Sequence, residues 1–380
     1  MKRKIVASLL GLCIIATALV GCGKEEESFN VSSSVVETKE EVSKPEPAPA
    51  PTVEVEEEVV EEAEAVEETE VVEEDTSTYE AVTIRVGYMP NYGSLWSIES
   101  AIAQNLFDEN VTIEMHEFPD GPSIIAELEA GNLDVGYIGQ GAHKHVINKG
   151  LRIFALSHVA NADMIISKDD IAGILDLSGK TIGYVPETSS EVILKAALES
   201  EGLTMDDVTL KTVEDCGTAT LEEALASGKV DAVSVWSPDS LSILENVEGI
   251  KELADDMSVP GMPLPLSSWI CTADFADNNM TTLTRFANGL FKGMSYGAKE
   301  NQDVVAGYVA DRVGVEQEMA YAQRGDAQWY TAEDIVTGIE NGTIESYYKM
   351  QQEVFIANGD VQETPVSDYV MLDFMGTIAK

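Results

Sequence analysis

Cysteine, histidine and basic residues are all scarce in this chain of 380 residues: four Cys, four His, and 23 Lys plus Arg against 68 Asp plus Glu. No GxSxG, HExxH or GxxxxGK[ST] pattern occurs, so no serine-hydrolase elbow, zincin helix or phosphate-cradling loop is written into it. Of the histidines His116, His143, His145 and His158, the pair at 143 and 145 would point about 200° apart on a helix, a poor arrangement for one metal. Cys216 and Cys271 lie in different segments; in an exported protein they could pair if adjacent, but two separate buried thiols are the preferred reading, because a large core demands no staple. The formal net charge of −45 makes nucleic acid and anionic membrane surfaces poor partners. No metal, cofactor or catalytic residue is expected, and the carboxylates are too abundant to single out a pair.

An apolar run long enough for a stable membrane span is missing too. Residues 5–20 follow Lys2, Arg3 and Lys4 as the core of a secretory signal, residues 1–21. Leu19, Val20, Gly21 and Cys22 resemble a bacterial lipobox, which implies acylation of the Cys22 thiol and loss of Cys13 with the signal. Residues 24–80 hold 21 acidic residues against Lys24, Lys39 and Lys44, with a Pro/Ala insert at 45–51. Such a run buries too little apolar surface to offset chain entropy, so residues 22–80 read as a lipid-anchored, disordered acidic tether. The expected location is the extracellular face of a bacterial cytoplasmic membrane, touched only through the anchor. The rest of the chain keeps 47 acidic against 17 basic residues.

What the body does have is a repeated α/β rhythm. Residues 82–88 read as a buried strand, followed by a helix that Ser94 can cap and Asn105 can end in the left-handed conformation. A strand at 111–118 leads into residues 118–143, FPDGPSIIAELEAGNLDVGYIGQGAH. There Ile124, Ile125 and Leu128 recur at helical spacing, Gly131 and Asn132 stop the helix, and residues 134–138 form a strand. Gly139, Gln140 and Gly141 then leave backbone N–H groups open at the carboxyl end of that strand, where α/β sheets place ligands. Further strands are expected after Gly150, at 164–167, 178–185, 208–213 and 230–236, with residues 186–191 as a hydroxyl-rich helix start and 214–217 as a loop. IIAELEAGNLDVGYIG and LEEALASGKVDAVSVW repeat one order: helix, Gly stop, Asp, strand, turn. Two lobes built alike can supply two walls of one cleft. A strand at 268–273 returns the chain, and helices follow around 281–300, 302–311, 331–341 and 344–358.

Three of these stretches in register, residues 118–139, 177–185 and 227–238, resemble the extracytoplasmic substrate-binding proteins of ABC importers for nitrate, taurine, aliphatic sulfonates and thiamine precursors. The resemblance covers most of 82–300. It implies an α/β chain with the type II periplasmic-binding-protein fold, two doubly wound lobes joined by a two-stranded hinge. Lobe 1 would be 81–166 with 268–380, and lobe 2 would be 167–267. It further implies ligand contacts from Tyr88, Asn91, Tyr92 and Trp96, from Gln140, Gly141, Ala142 and His143, from Thr188, Ser189 and Ser190, and from Asp215 and Trp236. Gln140 to His143 and the acidic pair Glu187 and Glu191 depart from the family's usual pattern, so its ligand does not transfer.

The implied function is capture of a small organic solute, sulfonate- or taurine-like, nitrate-like or thiamine-precursor-like, by a non-enzymatic monomer that hands it to a permease and ATPase. Alternatives are a tethered sensor or adhesin domain, and a thiamine-precursor-type enzyme. Helix starts at 140–143 and 189–191 favour an anionic head group, while Asp120, Glu187, Glu191, Asp215 and Asp239 disfavour a bare anion. A zwitterion satisfies both, and so does a neutral or cationic heteroaromatic on Tyr88, Tyr92, Trp96 or Trp236.

Overall fold

The computed structural model describes residues 79–380. The expected signal peptide, Cys22 and the tether up to residue 78 lie outside the described residues. The strands are β1 (Val82–Tyr88), β2 (Val111–Glu117), β3 (Val135–Ile138), β4 (Arg152–Ala160), β5 (Asp163–Lys168), β6 (Thr181–Gly183), β7 (Thr209–Lys211), β8 (Ala232–Trp236), β9 (Ile250–Asp255), β10 (Leu266–Cys271) and β11 (Ala327–Trp329). They form a six-stranded sheet in the order β11-β4-β10-β3-β1-β2 and a five-stranded sheet in the order β7-β6-β8-β5-β9.

Each sheet starts from a parallel trio. β1 pairs in parallel with β2 and β3, and β6 with β7 and β8. The returning strands β10 and β5 are antiparallel to β3 and β8 respectively, so both sheets are wound alike. β4 of the first sheet runs into β5 of the second through residues 161–162, and β9 returns to β10 through residues 256–265. The strand expected at 164–167 therefore lies beyond the first crossing, in the second sheet.

The local signals act much as their chemistry dictates. Asn105 takes φ 55° just after the helix Tyr92–Ala103. That helix is capped by Asn91, whose side chain accepts from the Ser94 N–H, so Ser94 is the capped residue and not the cap. Residues 213–216 form a short helix where a loop was expected, because Thr212 and Asp215 close a capping box around its first turn. β9 and β11 have no counterpart in the sequence reading; β11 is only three residues long, too short to display an alternation.

The first sheet carries the larger core. Trp96, Phe154, Trp269 and Phe286 are fully buried there, with Trp269 edge-on to both Tyr137 and Phe286 at centroid distances of 5.8 and 5.9 Å. The helix Met280–Gly297 presents Gly289, Gly293 and Gly297 to Phe107, Ser97 and Ser100, where a Cβ would collide, so the two helices approach closely. The second sheet is sandwiched by two smaller clusters, one around Ile182, Ile193 and Leu198, the other around Ile166, Leu225 and Val233. Each fully buried Leu or Ile contributes about 1.5–3 kcal/mol. Cys216 and Cys271 are free, buried thiols, one on each side of the molecule's division into two sheets. Among the described residues no helix is long and apolar enough to cross a membrane.

Candidate functional site

The carboxyl ends of β3 and β8 and the two crossing segments surround a cavity of about 70 Å³. The first sheet and its loops contribute Met89, Asn91, Asp120, Tyr137, Gln140, Ala142, His158, Gln323, Asp326 and Trp329. The second contributes Asp163, Thr188, Ser189, Trp236 and Ser237. Of the residues expected from sequence, Asn91, Gln140, Ala142, Thr188, Ser189 and Trp236 are thus brought together. Tyr88, Tyr92, Trp96, Gly141, His143, Ser190 and Asp215 do not line the cavity.

Each absence has a visible cause. Tyr88 donates its hydroxyl to Glu117 Oε2 at 3.1 Å, on the neighbouring strand. Tyr92 and Trp96 are buried behind the wall, at ring-centroid distances of 5.2 and 5.1 Å from Trp329. The Trp96 indole N–H donates to Ser157 Oγ at 3.1 Å. His143 is not at a cleft edge. It is 1 % exposed, its Nδ1 lies 2.8 Å from Gln351 Oε1, and burial pushes its pKa down to about 4. Ser190 and Ser234 exchange hydroxyl-to-carbonyl bonds of 2.7 Å, which pins the helix Ser189–Ser200 to β8. Asp215 is spent on Thr212 at an exposed helix start, and those hydrogen bonds lower its pKa.

Gly141 is one point of contact between the two halves of the molecule, beside the Lys144–Glu191 pair. A Cβ there would collide with the carbonyl carbon and oxygen of Thr188, so only glycine lets the turn after β3 meet the start of the helix Ser189–Ser200. The Thr188 hydroxyl is turned inward to Val185 O at 2.7 Å and does not cap that helix. Glu187, at φ 63°, is held by its N–H donating to Glu191 Oε2 at 2.9 Å. Of the three hydroxyls expected at this turn, Ser189 is the one left facing the cavity.

The residues that sequence reading missed sit mostly at the crossings and on β11. Trp329 packs at 4.7 Å from the His158 ring, and its indole N–H donates to Arg324 O at 2.7 Å. His158 lies between Ser157 Oγ at 3.0 Å and Tyr137 OH at 3.3 Å, and burial drives its pKa down to about 3, so it is neutral. Asp326 is raised to about 7 by burial, against a nearby Ser237 hydroxyl. Asp163 is 3 % exposed and is raised by burial, with the Ser189 hydroxyl pulling the other way. Its N–H donates to Asp256 Oδ2 at 3.1 Å, and Asp256 is raised in turn by burial and by Asp163. Among the described residues two polar groups in the wall have no hydrogen-bond partner: the whole amide of Gln140, which is 2 % exposed, and Asp163 Oδ1. Such groups cost about 1–3 kcal/mol each when left unsatisfied, so the cavity is built to be filled by something polar. Asp326 precedes and Trp329 ends β11, a strand that no periodicity announces; the only signal was a Trp among small and polar residues.

Two like-wound sheets meeting at a largely apolar cavity with a few buried polar groups at their strand ends define a cleft-type binding fold. The chain belongs to the NMT1/THI5-like family, whose model matches residues 101–303. A Brucella abortus (strain 2308) protein described as a binding protein is 26% identical over 301 residues, 77% of this chain and 91% of its own length. The taurine-binding periplasmic protein of Escherichia coli (strain K12) is 24% identical over 213 residues, 55% of this chain and 64% of its own. Among solved structures, the alkanesulfonate-binding protein SsuA from Xanthomonas axonopodis pv. citri, bound to MOPS, superposes with a TM-score of 0.58 at 20% identity, covering 77% of this chain and 99% of that one. The type II periplasmic-binding-protein fold expected from the sequence is the fold observed.

Proposed function

We propose that this chain is the extracytoplasmic solute-binding component of an ABC importer. It captures a small solute between two lobes and presents the closed form to a permease and ATPase. The observation that carries this reading is the cavity between the sheets, where the Gln140 amide and Asp163 Oδ1 are buried without a protein partner. The relatives named as taurine-binding and alkanesulfonate-binding proteins support it. The two crossings at 161–162 and 256–265 serve as the hinge between a lobe built on the first sheet and a lobe built on the second. Closure is a population shift: a solute that contacts both walls at once binds the closed form better than the open one. The chain binds its solute and does not transform it. The acidic N-terminal segment acts as a spacer from a lipid anchor at Cys22, which holds a monomeric body outside the cytoplasmic membrane.

The test is a thermal-shift screen of the full-length chain against taurine, alkanesulfonates, nitrate, bicarbonate, thiamine-related pyrimidines and small amines. A bound solute at about 100 times its Kd adds about 2.7 kcal/mol of stability, a shift of a few degrees. Failure of every solute to move the midpoint overturns the reading in favour of a domain that reuses the fold for other ends.

A further inference from the structure

The charge inventory of the cavity is one-sided. Asp120, Asp163 and Asp326 line it, whereas among the described residues neither Lys nor Arg does, and the histidine that lines it, His158, is neutral. The nearest basic side chains by sequence face other groups: the Arg324 guanidinium lies 3.4 Å from the Tyr321 ring centroid, with Nη1 3.9 Å from Asp303 Oδ1, and Lys144 Nζ lies 3.4 Å from Glu191 Oε2. Asp163 is more than nine-tenths buried, with Oδ1 unpartnered in the wall. The carboxylates also come from both sides, Asp163 from the start of β5 and Asp326 from the residue before β11, and each sheet adds one indole, Trp236 and Trp329.

Building on the solute-binding reading, we propose that the cavity selects a small organic cation, a protonated amine or amidine on a compact or flat body, and rejects sulfonate and nitrate. One ammonium or amidinium group placed between Asp163 and Asp326 would neutralise both walls together, and the indoles supply the surface on which its body rests. An anion would meet carboxylates with no cation to offset them. The space fits a small solute: about 70 Å³ is several times what a single water needs.

The same arrangement gives closure a physical cause. With the lobes together and the cavity empty, ionised Asp163 and Asp326 are desolvated and repel, and Asp256 lies behind Asp163. The titratable groups facing the solute are Asp120, Asp163, Asp326 and Tyr137, with burial pushing the Tyr137 hydroxyl up and holding His158 neutral. A cation removes the repulsion and makes the closed form the favoured one. Since burial raises both carboxyls, cation affinity rises as pH increases through about 7, where Asp326 ionises.

Titration calorimetry on the full-length chain with 4-aminopyridinium, taurine and ethanesulfonate decides the matter. The expected result is 4-aminopyridinium bound at least about tenfold tighter than ethanesulfonate, with affinity rising between about pH 5.5 and about pH 8. Asp326→Asn and Asp163→Asn should each lose at least about tenfold with an unchanged or raised thermal midpoint, which separates lost recognition from misfolding. Tighter binding of ethanesulfonate or taurine than of 4-aminopyridinium overturns the proposal, as does full affinity in both variants. If none of the three binds, the solutes found by the thermal screen count by their charge: cations uphold the proposal, anions or neutral molecules overturn it while the solute-binding reading stands, and an empty screen overturns both.

Discussion

On the first sheet the wall of the cavity is continuous with the core, and on the second it is not. Trp329 is 8 % exposed and is wedged among Tyr92, Trp96 and His158, all of them buried. Trp236 ends β8 half-buried, and the second sheet's other wall residues are a serine turn and the Asp163 carboxyl. One half therefore offers a rigid aromatic face, and the other offers hydrogen-bonding groups at the start of a helix. In the proposed closure that inequality would be useful: the more heavily packed half would fix where the solute sits, and the lighter half would move onto it.

The largest expected effect separates the two tryptophans. Trp329→Ala should cost about 3–5 kcal/mol of stability in urea unfolding, because it empties a site packed on three sides. Trp236→Ala should cost about 1 kcal/mol or less. Both should weaken solute binding in calorimetry. Equal losses of stability would erase the contrast between the halves, and unchanged affinity in Trp236→Ala would remove that indole from the second wall.

The same contrast decides how much could be read from the chain alone. The parallel strands, the helix stops at Gly131 and Gly150 and the left-handed Asn105 were legible because each rests on local chemistry: burial, period and a φ that few residues accept. Asn91, Gln140, Ser189 and Trp236 were legible as wall residues because they follow strand ends in the resembled family's order. Tyr92 and Trp96 were expected among the ligand contacts and lie behind the wall, since a helix period says which residues share a face and not which buried face meets a cavity. Asp326 and Trp329 were invisible for another reason. They reach the site through a three-residue strand that pairs with β4 more than 160 positions earlier, and a contact that distant leaves no trace in a window of sequence.

A second way to strain the comparison is to add one methyl group where the halves meet. Gly141→Ala would place a Cβ into the Thr188 carbonyl, and neither backbone can yield without opening the cleft. Solute affinity should fall at least about tenfold, while the unfolding free energy of the empty protein changes by less than about 1 kcal/mol, because the open form relieves the clash. Small-angle scattering should show a larger radius of gyration with solute present than in the parent chain. A variant that closes and binds normally would mean that the contact between Gly141 and Thr188 does not gate closure.

The smallest effect belongs to the residue that sequence reasoning placed in the second wall and the structure places outside the cavity. Asp215 Oδ2 accepts from the Thr212 N–H and hydroxyl at 3.0 Å each, and this hydrogen bonding holds its carboxyl below the usual range. It caps a four-residue helix in solvent, whereas Asp163, on the same sheet, keeps an unpartnered oxygen in the cavity. Asp215→Ala should therefore leave solute affinity within about twofold of the parent, at the level expected of an exposed charge removed from outside a binding site. Its thermal midpoint should fall slightly, through the lost cap and not through the cavity. A tenfold loss of affinity with an intact fold would bring the 212–217 turn back into the wall, and with it a second sheet that contributes more to recognition than Asp163, Ser189 and Trp236.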